Sequence, residues 1–231
     1  MHKTLAELIP TPGSYRIGVG MESAAERPDL AVKVASIFAL SAELDLIKAG
    51  IMIYALRSEP YAAMEMFTSL RSAQAPALKA VVRSKTPSRT KLFDAALTLV
   101  DKFEKHRNKF AHWTWATVDQ LPKHLAVVDP KAMLTSDAHH ADAFNVDRSF
   151  DEAVERWHKK NASFHDERRA QIHLYDNEAF DALLDQGAWA QHVLYEFHAG
   201  IATLGEDPAG SDQIFAELGS LLQPDQPSNP T

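Results

Sequence analysis

The stretch from Thr86 to Trp113, TPSRTKLFDAALTLVDKFEKHRNKFAHW, constrains the fold more than any other. Leu92, Phe93, Ala96, Leu99, Val100, Phe103 and Phe110 recur at three- and four-residue spacing, which aligns them along one stripe of a helix and commits that stripe to a core. Thr86 followed by Pro87 predicts an N-cap and a first helical position. At 1.5 Å per residue such a helix would be roughly 35 to 40 Å long. A stripe of that length needs other helices to cover it, so the chain is expected to be mostly α.

The covering helices are legible too. Pro28 suits a first helical position, and the residues after it, DLAVKVASIFALSAELDLIKAGIMIYAL, are apolar on nearly every side, the pattern of a central helix touched by several neighbours. Ser58-Glu59-Pro60 punctuates before a second helix, YAAMEMFTSLRS, and APALKAVVRS fits a short third. Asp176 can cap a long helix on which Phe180, Leu183, Leu184, Leu194, Phe197, Ile201 and Leu204 keep helical spacing. Ser211 is expected to start a last short helix through Leu222. Between the long helices the period changes: WATV, HLAVV and QIHLY read as short extended segments. Ser149 and Glu152 form a capping box for one further short helix.

The organisation that follows is an N-terminal arm over residues 1–27, a helical domain over 28–222 with an insertion at 114–175, and a Pro-rich tail at 223–231 expected to be disordered. The arm holds two Pro and three Gly and is expected to carry at most one short helix. With 231 residues, 45% of them hydrophobic, the chain has enough apolar material for a large core. It has no Cys, which excludes disulfides, thiolate metal sites and thiol nucleophiles. The first 20 residues lack the apolar run of a signal peptide, and no apolar run reaches the roughly 18 to 20 residues of a membrane span, so the expectation is a cytoplasmic protein with no membrane partner.

The net charge of −7 is unevenly spread. From Lys79 to Lys109 nine Lys or Arg residues face three acids, a local charge of +6, which leaves −13 on the remainder. That basic segment ends in HRNKFAHW, residues 106–113. On a helix Asn108 and His112 share a face, while Arg107 lies about 140° from His112 around the axis, a gap that a long guanidinium side chain can cross. A fixed cation, an amide and a titratable imidazole could thus converge on one anion. The plainer alternatives are that Arg107 and His112 offset the helix dipole, or that the three residues form a hydrogen-bond network at a dimer seam.

The hexad RNKFAH, Arg-Asn followed by three residues and His, resembles the motif of the HEPN superfamily (higher eukaryotes and prokaryotes nucleotide-binding domains). Its position at the end of a long helix, the acid within the apolar early helix (Glu43 in ALSAELDL) and the strand-like LAVVDP that follows are similar to some bacterial HEPN-like proteins. The resemblance covers residues 30 to 130 and, more weakly, the helix after Asp176. It implies a mostly α HEPN-like bundle with a small extended insertion after the motif helix, a homodimer in which two motifs face one another, and a metal-independent endoribonuclease without cofactor, of the kind found in toxins and phage defence, with RNA as substrate and an antitoxin or similar protein as partner. The alternative within the family is a catalytically inactive module that binds a protein or nucleotide.

The residue types suit metal-free RNA cleavage. The ribose 2′-OH attacks phosphorus, so a base must take its proton, an acid must protonate the leaving 5′-oxygen, and a cation must hold the phosphorane charge. Histidine, with an ordinary pKa near 6.5, can do either proton transfer, and Arg stabilises charge bidentately. The expected catalytic residues are His112, Arg107 and Asn108. Lys105, Lys109, Trp113 and Trp115 are expected to contact RNA, and Glu43 and Glu104 to support the site from behind. Glu43, an acid in an apolar helix, should be buried against a basic or hydroxyl group such as Arg107. Asp137, His139, His140 and Asp142 could ligate a metal only if a loop brought them together, and no metal is expected. The spaced pairs His158 and His165, and His192 and His198, read as surface or internally satisfied histidines.

Overall fold

The residues from Pro28 onward turn at once into the longest helix of the protein. In the computed structural model, which describes residues 2–10, 15–20, 22–131 and 168–223, this helix, α3, spans Pro28–Leu56. Its buried residues, including Leu30, Val34, Ile37, Leu44, Ile51 and Met52, fall within one sector about 100° wide, and Val32, Leu46 and Tyr54 on the other side are exposed, so the helix is buried along one stripe and not on the several sides that its nearly continuous apolar sequence suggests. Before it come a two-residue strand β1 (Lys3–Thr4), a single helical turn α1 (Leu5–Leu8), β2 (Ile17–Val19) and α2 (Glu22–Ala25). After it come α4 (Pro60–Ser69), α5 (Gln74–Lys85), α6 (Thr90–His112), β3 (Thr114–Val118), β4 (Leu125–Val128), β5 (Ile172–Tyr175), α7 (Asn177–Thr203) and α8 (Pro208–Leu221). The protein is mostly helical with one small antiparallel sheet.

Local chemistry fixes most of the boundaries. The Glu59 carboxylate accepts from the Ala62 amide at 2.8 Å and opens α4, and Asp176 accepts from the Ala179 amide at 2.8 Å to open α7, each satisfying an amide that a helix start leaves bare. Two starts differ from expectation. The Thr86 hydroxyl donates back to the Val82 carbonyl at 3.1 Å and so closes α5, while Pro87–Arg89 make a 3-10 turn before α6 begins at Thr90. The last helix begins at Pro208 under an Asp207 cap, because the Ser211 hydroxyl is buried and donates to the Gly200 carbonyl at 2.7 Å.

The chain divides into two compact units. One is drawn from Met1–Ser36 and Lys105–Leu184, the other from Ile37–Glu104 and Asp185–Thr231. The first is built on a five-stranded antiparallel sheet in the order β1-β5-β4-β3-β2. The three extended segments expected after the motif helix are its centre. Its two edges come from the first 27 residues, which therefore do not stand apart as an arm with one short helix. One face of the sheet presents Ala116, Val118, Ala126, Val128, Ile172 and Leu174 to Leu5 of α1. Because side chains alternate along a strand, His173 and Tyr175 emerge on the opposite face. There Phe110 of α6 packs against Tyr175, with ring centroids 4.7 Å apart, and Phe180 of α7 packs against both.

The second unit is all helical. Phe93 meets Phe197 at 4.8 Å and Phe197 meets Phe215 at 5.4 Å between ring centroids. Among the described residues of this unit one ammonium is buried: Lys48, which donates to Asp45 at 2.9 Å and to Glu104 at 2.6 Å. Burial pulls its pKa down, but the charges and hydrogen bonds of Glu104 and Asp45 together override that and the net shift is upward. Glu43, expected to be buried, is instead exposed, and it accepts a hydrogen bond from the Gln191 amide rather than from a cation or hydroxyl. Helical geometry explains the difference: Lys48 falls on the buried stripe of α3, whereas Glu43 falls on its exposed side with Leu46 and Tyr54. Glu104 is likewise committed to Lys48.

The capping box at Ser149, the loop of Asp137, His139, His140 and Asp142, the pair His158 and His165, and the tail beyond residue 223 lie outside the described residues.

Candidate functional site

The last two turns of α6 carry chemistry on two faces. Spacings of three and four residues bring His106, Lys109, Phe110 and Trp113 onto the face that looks at the sheet. Asn108 and His112, four apart, point away from it and are exposed. Helix α6 stops at His112 because the chain turns straight into β3. The Trp113 amide still bonds to the Lys109 carbonyl at 2.8 Å, and the Trp115 indole N–H donates to the Phe110 carbonyl at 2.9 Å, filling an acceptor that a helix end otherwise leaves to water.

On the outward face, Nη1 of half-buried Arg107 donates to Oδ1 of Asn108 at 3.0 Å. The guanidinium is thereby turned toward the helical sector that Asn108 shares with His112. Lys105 is exposed on the same helix. Of the four residues expected to contact RNA, Lys109 and Trp113 do not join this face. The Lys109 ammonium lies 5.1 Å from the Trp113 ring centroid, and that ring is 5.2 Å from the His173 imidazole. Trp115 uses its indole N–H on the backbone.

The inward face holds a cluster that the motif does not include. The His2 ring lies 5.0 Å from each of the rings of His106, His173 and Tyr175, stacked on the last with an interplanar angle of 13°. Nδ1 of His106 is 3.0 Å from the Tyr175 hydroxyl, and Nε2 of His173 is 3.4 Å from the Lys109 ammonium. Tyr175 is 1% exposed. Burial drives its pKa upward, so the phenol keeps its proton, and the direction of the Tyr175–His106 hydrogen bond is set by the imidazole tautomer.

Burial, then the charges of His2 and Lys109, lower His106 to about 4. Burial, then Lys109, His2 and His106, lower His173 to about 4. His2 is lowered by burial and by Lys109, and Lys109 itself by burial. At neutral pH this face therefore presents uncharged imidazoles, able to accept a proton, beside an ammonium.

His106 lies inside the octet that sequence reasoning singled out, yet its partners come from residue 2 and from a strand some 65 positions downstream. The only local signal was the alternation in QIHLY, which sets His173 and Tyr175 on one side of a strand. Elsewhere His192 is exposed near Glu196, at 4.0 Å, and His198 packs under Gly50 and Tyr54. Among the described residues no group of three or more His, Cys, Asp or Glu side chains is arranged to hold a metal ion, and no helix is long and apolar enough to cross a membrane.

No family model matches the chain, and neither a curated protein nor a solved structure does.

Proposed function

We propose that this protein is a HEPN-type endoribonuclease that cleaves RNA without a metal ion. The observation that supports the reading is the Arg107 to Asn108 hydrogen bond, which directs a permanent cation toward a residue that shares its helical face with exposed His112; one phosphodiester held by Arg107 and His112 together requires that the two converge. In this reaction the 2′-oxygen bonds to phosphorus as its proton passes to a base, and the bond to the 5′-oxygen breaks as that oxygen takes a proton from an acid. The products are a 2′,3′-cyclic phosphate and a 5′-hydroxyl. His112 performs one proton transfer, Arg107 stabilises the phosphorane, and Asn108 orients both. A homodimer supplies the second imidazole from another copy of His112, in a cytoplasmic protein whose activity an antitoxin or comparable partner holds in check.

The test is incubation of the purified protein with total RNA in chelator, with end-group analysis for 2′,3′-cyclic phosphate. His112→Ala and Arg107→Ala should each slow cleavage by about a hundredfold or more while leaving the helical content unchanged. Cleavage by either variant at the wild-type rate rejects the assignment.

A second reading, a HEPN-like interaction module without catalysis, is favoured by a different observation. Leu46, Tyr54, Trp189 and Tyr195 are large apolar side chains between 39% and 59% exposed in the helical unit, and apolar surface of this kind marks association. Inactivity of the wild-type protein toward all RNA, together with a stable complex through these residues, selects that reading.

A further inference from the structure

We propose that His2, His106, Lys109 and His173, with the Tyr175 hydroxyl, form a binding site for a phosphate group on the inward face of α6, separate from Arg107, Asn108 and His112. Two imidazoles each 5.0 Å from the ring of a third, with an ammonium 3.4 Å from one of them, concentrate nitrogen groups in one place, and among the described residues no carboxylate forms an ion pair with that ammonium. Glu7 is the acid nearest in effect, since it acts electrostatically on both His2 and His173. Its carboxylate, however, is already occupied by the amide and hydroxyl of Thr4 in the capping box of α1, the hydroxyl at 2.8 Å. At neutral pH the Lys109 ammonium is the one charge of the cluster, and the anion to balance it is left to a ligand.

Wholly buried Tyr175 lies against His106 Nδ1 at 3.0 Å; in the tautomer in which the phenol donates to that nitrogen, the imidazole N–H is on Nε2 and is the proton a ligand would meet. Lys109 stands between His173 and the Trp113 ring, where its other protons remain available. His2 is carried in by β1, whose Thr4 pairs with His173. A tetrahedral oxyanion has enough acceptor oxygens to take the ammonium of Lys109 together with an imidazole N–H from His106 and from His2, while His173 holds the ammonium in place through Nε2. The charges of Lys109 and of one another, which add to burial in keeping these imidazoles neutral, would be offset by a bound dianion. Phosphate binding is therefore coupled to proton uptake.

The experiment follows the histidine ring signals of the full chain by NMR, assigned with single His→Gln variants, while inorganic phosphate or a nucleoside 5′-monophosphate replaces chloride at constant ionic strength. The expected result is saturable perturbation of His2, His106 and His173, with the midpoints of His106 and His173 moved upward from about 4 by one unit or more. Lys109→Met should weaken phosphate binding at least tenfold, and His106→Gln provides a second variant if the first disturbs the fold. Equal affinity for both probes identifies a site for a free phosphate group, and tighter binding of the monophosphate identifies a nucleotide. The effect should persist in Arg107→Ala and His112→Ala, which separates this site from the proposed RNA-cleaving face. Ring signals that respond to phosphate no more than to chloride overturn the proposal, as does loss of the response in those two variants.

Discussion

The Tyr175 hydroxyl and Nδ1 of His106 are 3.0 Å apart, joining the middle of the sheet unit to the last turns of α6. Tyr175 is among the largest side chains fully withdrawn from solvent, and a buried phenol needs a partner for its O–H. Tyr175→Phe keeps the ring packing against Phe110 and Phe180 and removes only this bond. The expected loss is about 1 kcal/mol of stability, or roughly 2–4 °C in Tm for a domain of this size, measured by thermal unfolding. A variant as stable as the parent would show that the bond contributes nothing.

The same cluster makes the fold sensitive to acid. In the unfolded chain His106 and His173 take a proton near 6.5, whereas in the folded protein they do so near 4. Between those values the unfolded state binds more protons, so stability falls as pH is lowered through that interval, and the contribution is fully present only above about 6.5. Both rings are partly exposed, which reduces the effect to about 1 kcal/mol each. Chemical denaturation at pH 7.0, 5.5 and 4.5 should give a steadily falling unfolding free energy. In His106→Gln His173→Gln the slope over this range should be shallower.

Gly187 lies in α7 where no larger residue fits. A β-carbon there would come within 2.5 Å of Leu40 Cδ2 and 2.6 Å of Phe103 Cε2, far inside van der Waals contact. Alanine raises helix propensity by about 1 kcal/mol, but overpacking costs about 1–3 kcal/mol, so Gly187→Ala should be neutral at best and destabilising by up to about 2 kcal/mol. Urea unfolding checks this. A stabilised variant would mean that α7 can shift away from Leu40 and Phe103 at little cost.

The long elements were legible because a stripe at helical spacing and a capping acid leave a mark in any short window of sequence. Phe93, Phe103 and Phe110 repeat along α6, and Asp176 opens α7 as its side chain requires. Alternating residues in WATV, HLAVV and QIHLY likewise announced strands. The pairing of β1 and β2 with β5 and β3 was not legible, since a two- or three-residue strand has no period of its own and is defined only by its partner. For the same reason the octet revealed which residues α6 could project outward, Arg107, Asn108 and His112, but not what its inner face would meet. His2, His173 and Tyr175 join His106 through sheet register, which no local pattern encodes. Glu43 misled because an acid in an apolar run looks buried on both sides, and the position that turned inward was Lys48.

Lys48 anchors the helical unit through charge rather than apolar contact. Its side chain is 9% exposed, against 27% for Glu104 and 43% for Asp45. Removing Glu104 leaves an ammonium short of a partner in a dry setting, whereas removing Lys48 leaves two carboxylates that water can still reach. Glu104→Ala should therefore cost about 3 kcal/mol, and Lys48→Met less, about 1 kcal/mol, because the methionine fills the space with apolar volume. The double variant should recover part of the Glu104→Ala loss. Unfolding free energies of the four proteins form a double-mutant cycle, and a zero coupling energy would remove the ion pair from the account.

The outward face of α6 separates positioning from charge. Asn108 is exposed and bonds to Arg107, so Asn108→Ala should leave the fold intact and release the guanidinium from its direction without removing it. If RNA cleavage proceeds as proposed, Arg107→Ala should lower kcat by about 10²–10³, the scale of losing a transition-state charge donor, and His112→Ala by about 10²–10⁴. Asn108→Ala should cost less than either, about tenfold, with Asn108→Asp retaining the hydrogen bond but placing a carboxylate where the phosphate must approach and so falling below Asn108→Ala. Single-turnover cleavage of one defined RNA by all five proteins measures the order directly. An Asn108→Asp variant more active than Asn108→Ala would mean that the phosphate does not bind on this side of the helix.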